Sequence, residues 1–477
     1  TLIDARASLD PATTDGKTIL VFASLGGSVD VVKMLMDVRT AIAVDDRDLT
    51  TALMSAVHAG AVDVARVLID AKADIFATDK QNTSTVMLAI DKCNREMFQV
   101  MVEKQSVASP DNRLLTADIV SCAARSGCVE VLKWLIDAKA PVDVSDTAGA
   151  TPLMASTACG HSDATVALLE ARAAVNAMGR GRNTALCWAA IHGNADAARV
   201  LIDARANLTH RAKDATDALM CATARGHHEV MLVLIEAGAD ITGFYRENEE
   251  EDDQSLLKIA VGRGDVHAAR LLLDAKAEID YDEDLLEDPF SVKNEEMIKL
   301  LLDAHAEVNV DSDYDDPSYL VRAAESNNVR IMKLLIEANA DLRPDKHWEE
   351  IDGTKCPLMV SIKNNNIAAV RLLLDAKAQL DGMYVWYRKT EVRRESRPKS
   401  LMTCAVESLM IDKSTWQRES AIPLLRLLVA AKAPVQDMYP RFEEYYKEES
   451  EAPFDDRWAV VKTMLDLKAT FQIGRAS

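Results

Sequence analysis

A six-residue segment recurs along this chain at a nearly constant interval, and that interval restricts what the chain can fold into. The segment Leu201–Ala206 reads Leu-Ile-Asp-Ala-Arg-Ala, and close copies begin at Leu68, Leu135 and Leu373. Its fifth residue falls at positions 6, 39, 72, 105, 139, 172, 205, 238, 276, 305, 339, 377, 432 and 468, so most intervals are 33 or 34 residues. A period of this length is typical of a stack of short units, none of which can bury its apolar face alone.

Each unit predicts two short helices joined by a tight turn. In one unit, Thr151–Ser156 begins a first helix, the pair Gly160 and His161 ends it, and Ala164–Ala171 carries a second helical pattern of apolar residues. A threonine hydroxyl can cap the free amides at the helix start, and glycine permits the sharp turn between the helices. The unit is therefore helix, turn, helix, loop.

This pattern resembles the ankyrin repeat, whose signature reads T-P-L-H-x-A-A, then G-H, then V-x-x-L-L-x-x-G-A-x-x-N. The best copies are Thr151–Asn176, Thr184–Leu208 and Asp217–Ile241. The resemblance implies an all-α repeat solenoid of about thirteen stacked helix-turn-helix units, whose inter-repeat loops project as fingers. We expect a single solenoid over 1–477, divided into a partial repeat (1–12), regular repeats (13–244), repeats with acidic and long insertions (245–437) and an irregular capping unit (438–477).

The chain begins within a repeat. Leu2–Leu9 reads as the tail of a unit whose first half is missing. Terminal repeats need a polar outer side. We therefore expect further chain or a partner to cover an apolar face at this end.

Two departures from the family pattern have physical consequences. The histidine of T-P-L-H is replaced by methionine, which exchanges a hydrogen bond at the helix start for a flexible apolar contact, at Met54, Met87, Met154, Met220, Met359 and Met402. The glycine after the second helix survives only as Gly238, and ten of the fourteen positions carry Lys or Arg. A left-handed residue other than glycine costs on the order of 1 kcal/mol, of which a cation at the helix C-terminus recovers about 0.3–1 kcal/mol.

The charge and the cysteines exclude several classes of protein. The formal net charge is −21, and an acid precedes most of the cations in the repeated motif by two residues, so a nucleic-acid interface is not expected. The eight cysteines form no CxxC pair, which favours buried thiols and an intracellular protein, most simply a cytoplasmic one, with the nucleus or an organelle interior left open. No apolar run reaches the roughly 18 residues that a membrane span needs.

Motifs for catalysis, cofactors and metals do not reach a usable standard. Gly179–Arg182 lacks the context of a phosphate loop and predicts a solvated turn, and Asp311–Asp316 lacks the glycine and closing glutamate of a calcium loop. The histidines beside the turns predict structural roles, at His161, His192, His227 and His228. The cysteines in first helices predict small packed side chains, at Cys122, Cys187, Cys221 and Cys404. We predict no catalytic residue, cofactor or metal ion.

Three consecutive fingers carry runs of acidic residues. Because stacking places successive fingers side by side, these runs would form one acidic edge, which would steer a partner that has a basic segment. Solvated loops are the alternative. The candidate partner-binding residues of the acidic edge are Glu249, Glu250, Glu251, Asp252, Asp282, Glu283, Asp284, Asp313, Asp315 and Asp316.

The longest insertion lies between Lys377 and Lys432 and combines aromatic residues with arginines. Trp, Tyr and Arg dominate binding hot spots, so this aromatic finger is a second candidate site. The alternatives are that the insertion (378–431) packs on its own repeats, or that it masks the acidic edge. A later cluster, Met438–Phe442, favours a C-terminal cap. The candidate residues of the aromatic finger are Tyr384, Trp386, Tyr387, Arg388, Arg393 and Arg394.

These patterns favour a non-enzymatic scaffold that binds protein partners through its concave face and its fingers. Two alternatives stay open. One is a permanent structural subunit of a large multiprotein assembly, and the other is the targeting or regulatory arm of a longer enzyme or channel.

Overall fold

The computed structural model describes residues 18–37, 46–79, 83–104, 113–211, 216–242, 244–245, 254–279, 285–309, 317–342, 351–352, 356–378, 380, 383–385, 399–400 and parts of 423–431. The chain divides into two compact units, Thr1–Glu278 and Ile279–Ser477, which are taken separately below. The prediction of one solenoid over 1–477 stays a prediction.

Unit 1 contains eight helix pairs among its described residues. Each pair consists of a first helix, a turn and a second helix. The helices are α1 (Ile19–Leu25), α2 (Val29–Asp37), α3 (Asp46–Ala59), α4 (Val62–Asp70), α5 (Thr85–Asp91), α6 (Arg95–Lys104), α7 (Ala117–Arg125), α8 (Val129–Asp137), α9 (Pro152–Ala158), α10 (Ser162–Glu170), α11 (Ala185–His192), α12 (Ala195–Asp203), α13 (Ala218–Arg225), α14 (His228–Glu236), α15 (Leu256–Gly262) and α16 (Val266–Asp274). A short 3-10 helix spans Arg180–Arg182.

Unit 2 repeats the same pattern three times within its described residues. Its first helix is shortened to five residues. The helices are α17 (Glu287–Ser291), α18 (Glu295–Asp303), α19 (Tyr319–Glu325), α20 (Val329–Glu337), α21 (Pro357–Lys363) and α22 (Ile367–Asp375).

The helices of unit 1 pack in two rows, because first helices contact first helices of the neighbouring pairs and second helices contact second helices. The core lies between the rows. The leucine that opens the recurring segment is fully buried, at 0% exposure, in Leu68, Leu135 and Leu201, and the same holds for Leu301, Leu335 and Leu373 of unit 2. Since burying one leucine stabilises a fold by about 1.5–3 kcal/mol, this column of leucines accounts for the strictness of the period. The prediction of an all-α repeat solenoid is confirmed.

Several first helices are capped by a side chain at their start, as the sequence predicts, among them α9 and α13. The Thr151 hydroxyl accepts a hydrogen bond from the Met154 amide at 3.3 Å, and Asp217 caps α13 through the Met220 amide at 2.9 Å. Methionine still accepts a hydrogen bond at this position, because the Thr151 amide lies 3.5 Å from the Met154 sulfur and donates to it. A weak sulfur acceptor thus replaces the polar acceptor, and the expected purely apolar exchange is only part of the effect.

The residue after each second helix is left-handed, as the motif predicts. All nine of these positions within the described ranges have a positive φ, between 63° and 81°, although only Gly238 is glycine. At Lys139, the amide donates to the Ile136 carbonyl at 2.9 Å and the next amide, of Ala140, donates to Leu135 at 3.0 Å. This pair of bonds is the Schellman motif, which satisfies carbonyls that the helix end would leave free.

Five very short strands lie in those parts of the fingers that the structure describes. In unit 1, β1 (Phe244–Tyr245) pairs antiparallel with β2 (Gln254–Ser255). In unit 2, β3 (Ile351–Asp352), β4 (Met383–Val385) and β5 (Lys399–Ser400) form a sheet in that order. The β3–β4 pair is parallel, and the β4–β5 pair is antiparallel.

The first described helix pair exposes several apolar side chains, whereas Leu2–Leu9, where the sequence predicts an uncovered face, lies outside the described residues. What covers that face stays a prediction. The exposed apolar side chains of the helix pair are Ile19, Phe22, Leu25, Val31 and Met34.

None of the helices in the described ranges is both long and apolar enough to cross a membrane.

Candidate protein-interaction surface

The predicted partner-binding residues lie almost entirely outside the described residues. Tyr384 is described only through its backbone, in β4. The structure therefore does not test which of these side chains come together. The residues outside the described ranges are Glu249, Glu250, Glu251, Asp252, Asp282, Glu283, Asp284, Asp313, Asp315, Asp316, Trp386, Tyr387, Arg388, Arg393 and Arg394.

The ends of two of these fingers are nevertheless defined by backbone pairing. The β1–β2 pair brackets the first acidic run, with Phe244 opposite Ser255. The β4–β5 pair brackets the aromatic finger, with Tyr384 opposite Lys399. Tyr384 also pairs with Ile351 of the preceding finger. The base of the aromatic finger is thus joined to its neighbour through main-chain hydrogen bonds.

The best-described fingers follow α8, α10 and α12, and we call them the finger surface (residues 138–151, 171–184 and 204–211). Hydrogen bonds between neighbouring repeats hold these fingers in register. The Ala174 amide donates to Asp143 Oδ1 of the preceding finger at 2.7 Å, and the Asn207 amide donates to Asn176 Oδ1 at 2.8 Å. Unit 2 repeats the bond between the Asp341 amide and Asn309 Oδ1, at 2.8 Å. Each finger is therefore fixed by the one before it.

The fingertips are also joined to one another. The Arg180 amide donates to the Gly149 carbonyl at 2.9 Å, and His210 Nε2 donates to the Arg182 carbonyl at 2.8 Å. Gly149 has φ +83°, and a Cβ there would lie 2.9 Å from Arg180 Cβ, so the finger requires glycine for two reasons. The predicted turn at Gly179–Arg182 is confirmed as an exposed 3-10 turn.

The finger surface offers apolar and cationic side chains to solvent. Val144 is 53% exposed on one finger and Met178 is 55% exposed on the next. Exposed arginines accompany them at Arg180, Arg182 and Arg211. Held on a hydrogen-bonded frame, such a surface can bind a partner without ordering its own backbone first, which lowers the entropic cost of association.

The finger surface differs in charge from the acidic edge, and the sequence did not single it out. Methionine and arginine are enriched at protein interfaces. The sequence feature that could have indicated this surface is the occurrence of methionine and arginine on the loops of adjacent repeats. Their exposure follows only from how the fingers stack.

A second ladder of contacts runs along the turns between first and second helices. Asn194 Nδ2 donates to the Thr157 carbonyl at 2.7 Å and to the Ala158 carbonyl at 3.0 Å, both in the preceding repeat. His227 Nε2 likewise donates to the Ile191 carbonyl at 3.1 Å. These bonds satisfy carbonyls at the ends of first helices. The structural role predicted for His227 is confirmed.

His228 pairs with an acidic residue of the next repeat. Its Nε2 donates to the Asp265 carboxylate at 2.7 Å. Burial alone would raise the pKa of Asp265, but hydrogen bonds from the Ala268 amide and from His228 outweigh it and hold that pKa below its usual range. In unit 2, hydrogen bonding from Arg322 lowers the pKa of Glu287 in the same way, against partial burial.

The cysteines of first helices are buried, as the sequence predicts, at Cys122, Cys187 and Cys221. Burial raises the pKa of Cys122 to about 12, which leaves the thiol protonated and unreactive at neutral pH. Cys93 and Cys159 are exposed, so the expectation of buried thiols is wrong for these two. Both lie in turns at the ends of first helices.

The described residues contain no group of three or more His, Cys, Asp or Glu side chains arranged to hold a metal ion.

Comparison with known proteins agrees with the geometry. The family model for ankyrin repeats, in three copies, matches residues 1–79, 86–179, 120–212, 167–245 and 289–383, which together make up well over half of the chain. No curated protein matches closely enough to name a relative. The two rows of helices, the left-handed helix ends and the matches to the family model lead to one conclusion: the chain belongs to the ankyrin-repeat family.

Proposed function

We propose that this protein is a non-enzymatic scaffold that binds protein partners through its concave face and its fingers. Ankyrin repeats mediate protein–protein interaction and are typically binding modules rather than enzymes. One observation carries the proposal for this chain. The second helices are nearly constant in length while the fingers differ: every described second helix has nine or ten residues, whereas the loop from Glu236 to Leu256 is longer than the loop from Asp203 to Ala218.

This division is what a binding scaffold requires. A fixed frame of helices sets where each finger stands, and the finger sequence sets what it recognises. Three surfaces differ in chemistry: the mixed apolar and cationic finger surface, the acidic edge and the aromatic finger. The acidic edge suits a partner with a basic segment. The aromatic finger offers Tyr384, Trp386 and Tyr387, which are hot-spot residue types.

Affinity purification from the source cell, followed by mass spectrometry, tests the proposal. The first variant changes Val144 and Met178 to Asp on the fingers. The matched control changes Val166 and Leu232 to Asp, because these are also exposed apolar residues but lie on second helices. A protein lost from the finger variant and retained by the control supports the scaffold. Equal partner sets in wild type, finger variant and control would remove the finger surface from the proposal.

A parallel comparison changes Tyr384, Trp386 and Tyr387 to Ala. Loss of a partner would make the aromatic finger a docking site, and an unchanged partner set would favour packing on its own repeats. A wash at increasing salt separates the scaffold from a permanent subunit. Partners held by the acidic edge should dissociate as salt screens the charges, whereas a fixed assembly should keep a constant stoichiometry.

A further inference from the structure

Two cysteines of neighbouring repeats lie in the ladder of contacts that joins the turns between first and second helices, which we call the turn ladder. Cys93 ends the turn after α5 in a left-handed conformation, φ +48°, and is exposed. Cys128 immediately precedes α8 in the next unit and is 2% exposed. Both thiols are free.

The glycines of the other turns show how the ladder brings these two positions together. A Cβ built at Gly127 would lie 2.6 Å from the His161 ring, and one at Gly193 would lie 2.6 Å from the His227 ring. In each case the turn residue of one unit faces the residue before the second helix of the next unit. Cys93 occupies the glycine position, and Cys128 occupies the position of the histidines.

Two further observations agree with this register. The Cys93 thiol lies near enough to Cys128 to contribute to the raised pKa of that thiol. Cys93 Sγ also lies 3.6 Å from the Ser126 carbonyl oxygen, two residues before Cys128. A real Cβ therefore stands where other turns have glycine, and its sulfur lies beside the backbone of Ser126, in the turn that leads to Cys128.

We propose that Cys93 and Cys128 form a redox-sensitive pair, which closes to a disulfide between two adjacent repeats when the protein meets a low-molecular-weight disulfide. In the first step the Cys93 thiolate attacks one sulfur of the small disulfide, forms a mixed disulfide and releases one small thiolate, which takes up a proton. In the second step the Cys128 thiolate attacks Cys93 Sγ and releases the second small thiolate, which is protonated in turn. Two protein thiols are oxidised and one small disulfide is reduced.

The surroundings determine the order of the two steps. Cys93 is exposed and can meet the oxidant, whereas Cys128 is covered. Burial first, and then the neighbouring Cys93, raises the pKa of Cys128 to about 12, and Glu130 of α8 adds to this shift. On the α5 side, the Asp91 carboxylate accepts a bond from the Ser126 hydroxyl at 2.6 Å, so a second negative charge faces the turn. The second step is therefore the slow one, and its rate should rise about tenfold per pH unit near neutrality.

The disulfide would fasten the turn of one repeat to the turn of the next. Solenoid stability depends on the interfaces between neighbouring repeats, so a covalent bond at one interface would restrain bending there and leave the fingers free to bind. This is distinct from the proposed binding surfaces, because the turns and the fingers are at different ends of the helices.

The test treats the purified full chain with oxidised glutathione and follows its cysteine-containing peptides by mass spectrometry without reduction. In wild type we expect peptides joined through Cys93 and Cys128, formed faster at higher pH. In Cys128→Ser the glutathione adduct should persist on Cys93, and in Cys93→Ser no cross-link should form. The oxidised wild type should also melt at a higher temperature than Cys93→Ser treated in the same way.

Cys159 is the internal comparison, because it is exposed and the residue one period later is His192 rather than cysteine. Its adduct should persist in every variant. A stable adduct on Cys93 of the wild type, or no modification of Cys93 at all, would overturn the proposal.

Discussion

Replacing two glycines by alanine separates the two reasons for which this fold uses glycine. Gly193 and Gly238 have nearly the same left-handed backbone, with φ +76° and +81°. A Cβ at Gly238 would meet nothing within 4 Å, whereas a Cβ at Gly193 would lie 2.6 Å from Nδ1 of His227. Gly238→Ala should therefore cost only the backbone strain, about 1 kcal/mol of the free energy of unfolding.

Gly193→Ala should cost about 3–5 kcal/mol, because the clash adds about 1–3 kcal/mol to the backbone strain and a displaced His227 loses its hydrogen bond to the Ile191 carbonyl, worth about 1 kcal/mol. Urea denaturation followed by circular dichroism measures both variants against wild type. The control is the double variant Gly193→Ala with His227→Ala, in which the ring is absent and the two costs should not add. Equal losses for Gly193→Ala and Gly238→Ala, or strict additivity in the double variant, would refute the reasoning.

Three further predictions use the same assays. Lys139→Ala should lower stability by about 0.3–1 kcal/mol, because it keeps the left-handed strain and loses the cation at the helix end, and Lys139→Gly should be more stable than Lys139→Ala by about 1 kcal/mol; the reverse order would contradict the account. Asn194→Ala should lower the free energy of unfolding by about 1–2 kcal/mol, because it leaves two carbonyls of the preceding repeat without their donor, and an unchanged denaturation midpoint would show that the bonds are not needed. Glu287→Gln should flatten the acid limb of the melting temperature against pH: the pKa of Glu287 is lowered from the ordinary 4.5 by Arg322, so the stability that the carboxylate contributes is present above that value and is lost as pH falls through the lower folded pKa. Parallel acid limbs for variant and wild type would contradict it.

The fold could be predicted from the sequence because its strongest constraints repeat. The buried leucine column, typified by Leu201, and the left-handed residue four positions later, such as Arg205, follow from a segment that recurs with little change. Each copy confirms the others, so the helix pairs and their ends were identifiable without coordinates.

The contacts between units were harder to predict, because they join residues of different repeats. The exposure of Val144 and Met178 depends on how one finger lies against the next. The sulfur contact at Met154 depends on the rotamer that its neighbours permit. The proposed pairing of Cys93 with Cys128 depends on a register that the interval of 35 residues obscures, since the two glycine–histidine pairs, Gly127 with His161 and Gly193 with His227, are 34 apart.

The turn ladder has a consequence for how such a chain can be rearranged. A bulky residue before one second helix is tolerated only because the previous turn has glycine, as Gly127 does for His161. Placing the repeat that contains His161 directly after the repeat that contains Cys93 would set an imidazole against a side chain that is already there. Deletion, duplication or recombination of single repeats would therefore produce mismatched junctions. A block of repeats can be exchanged when it keeps each turn glycine together with the bulky residue that it faces in the next repeat.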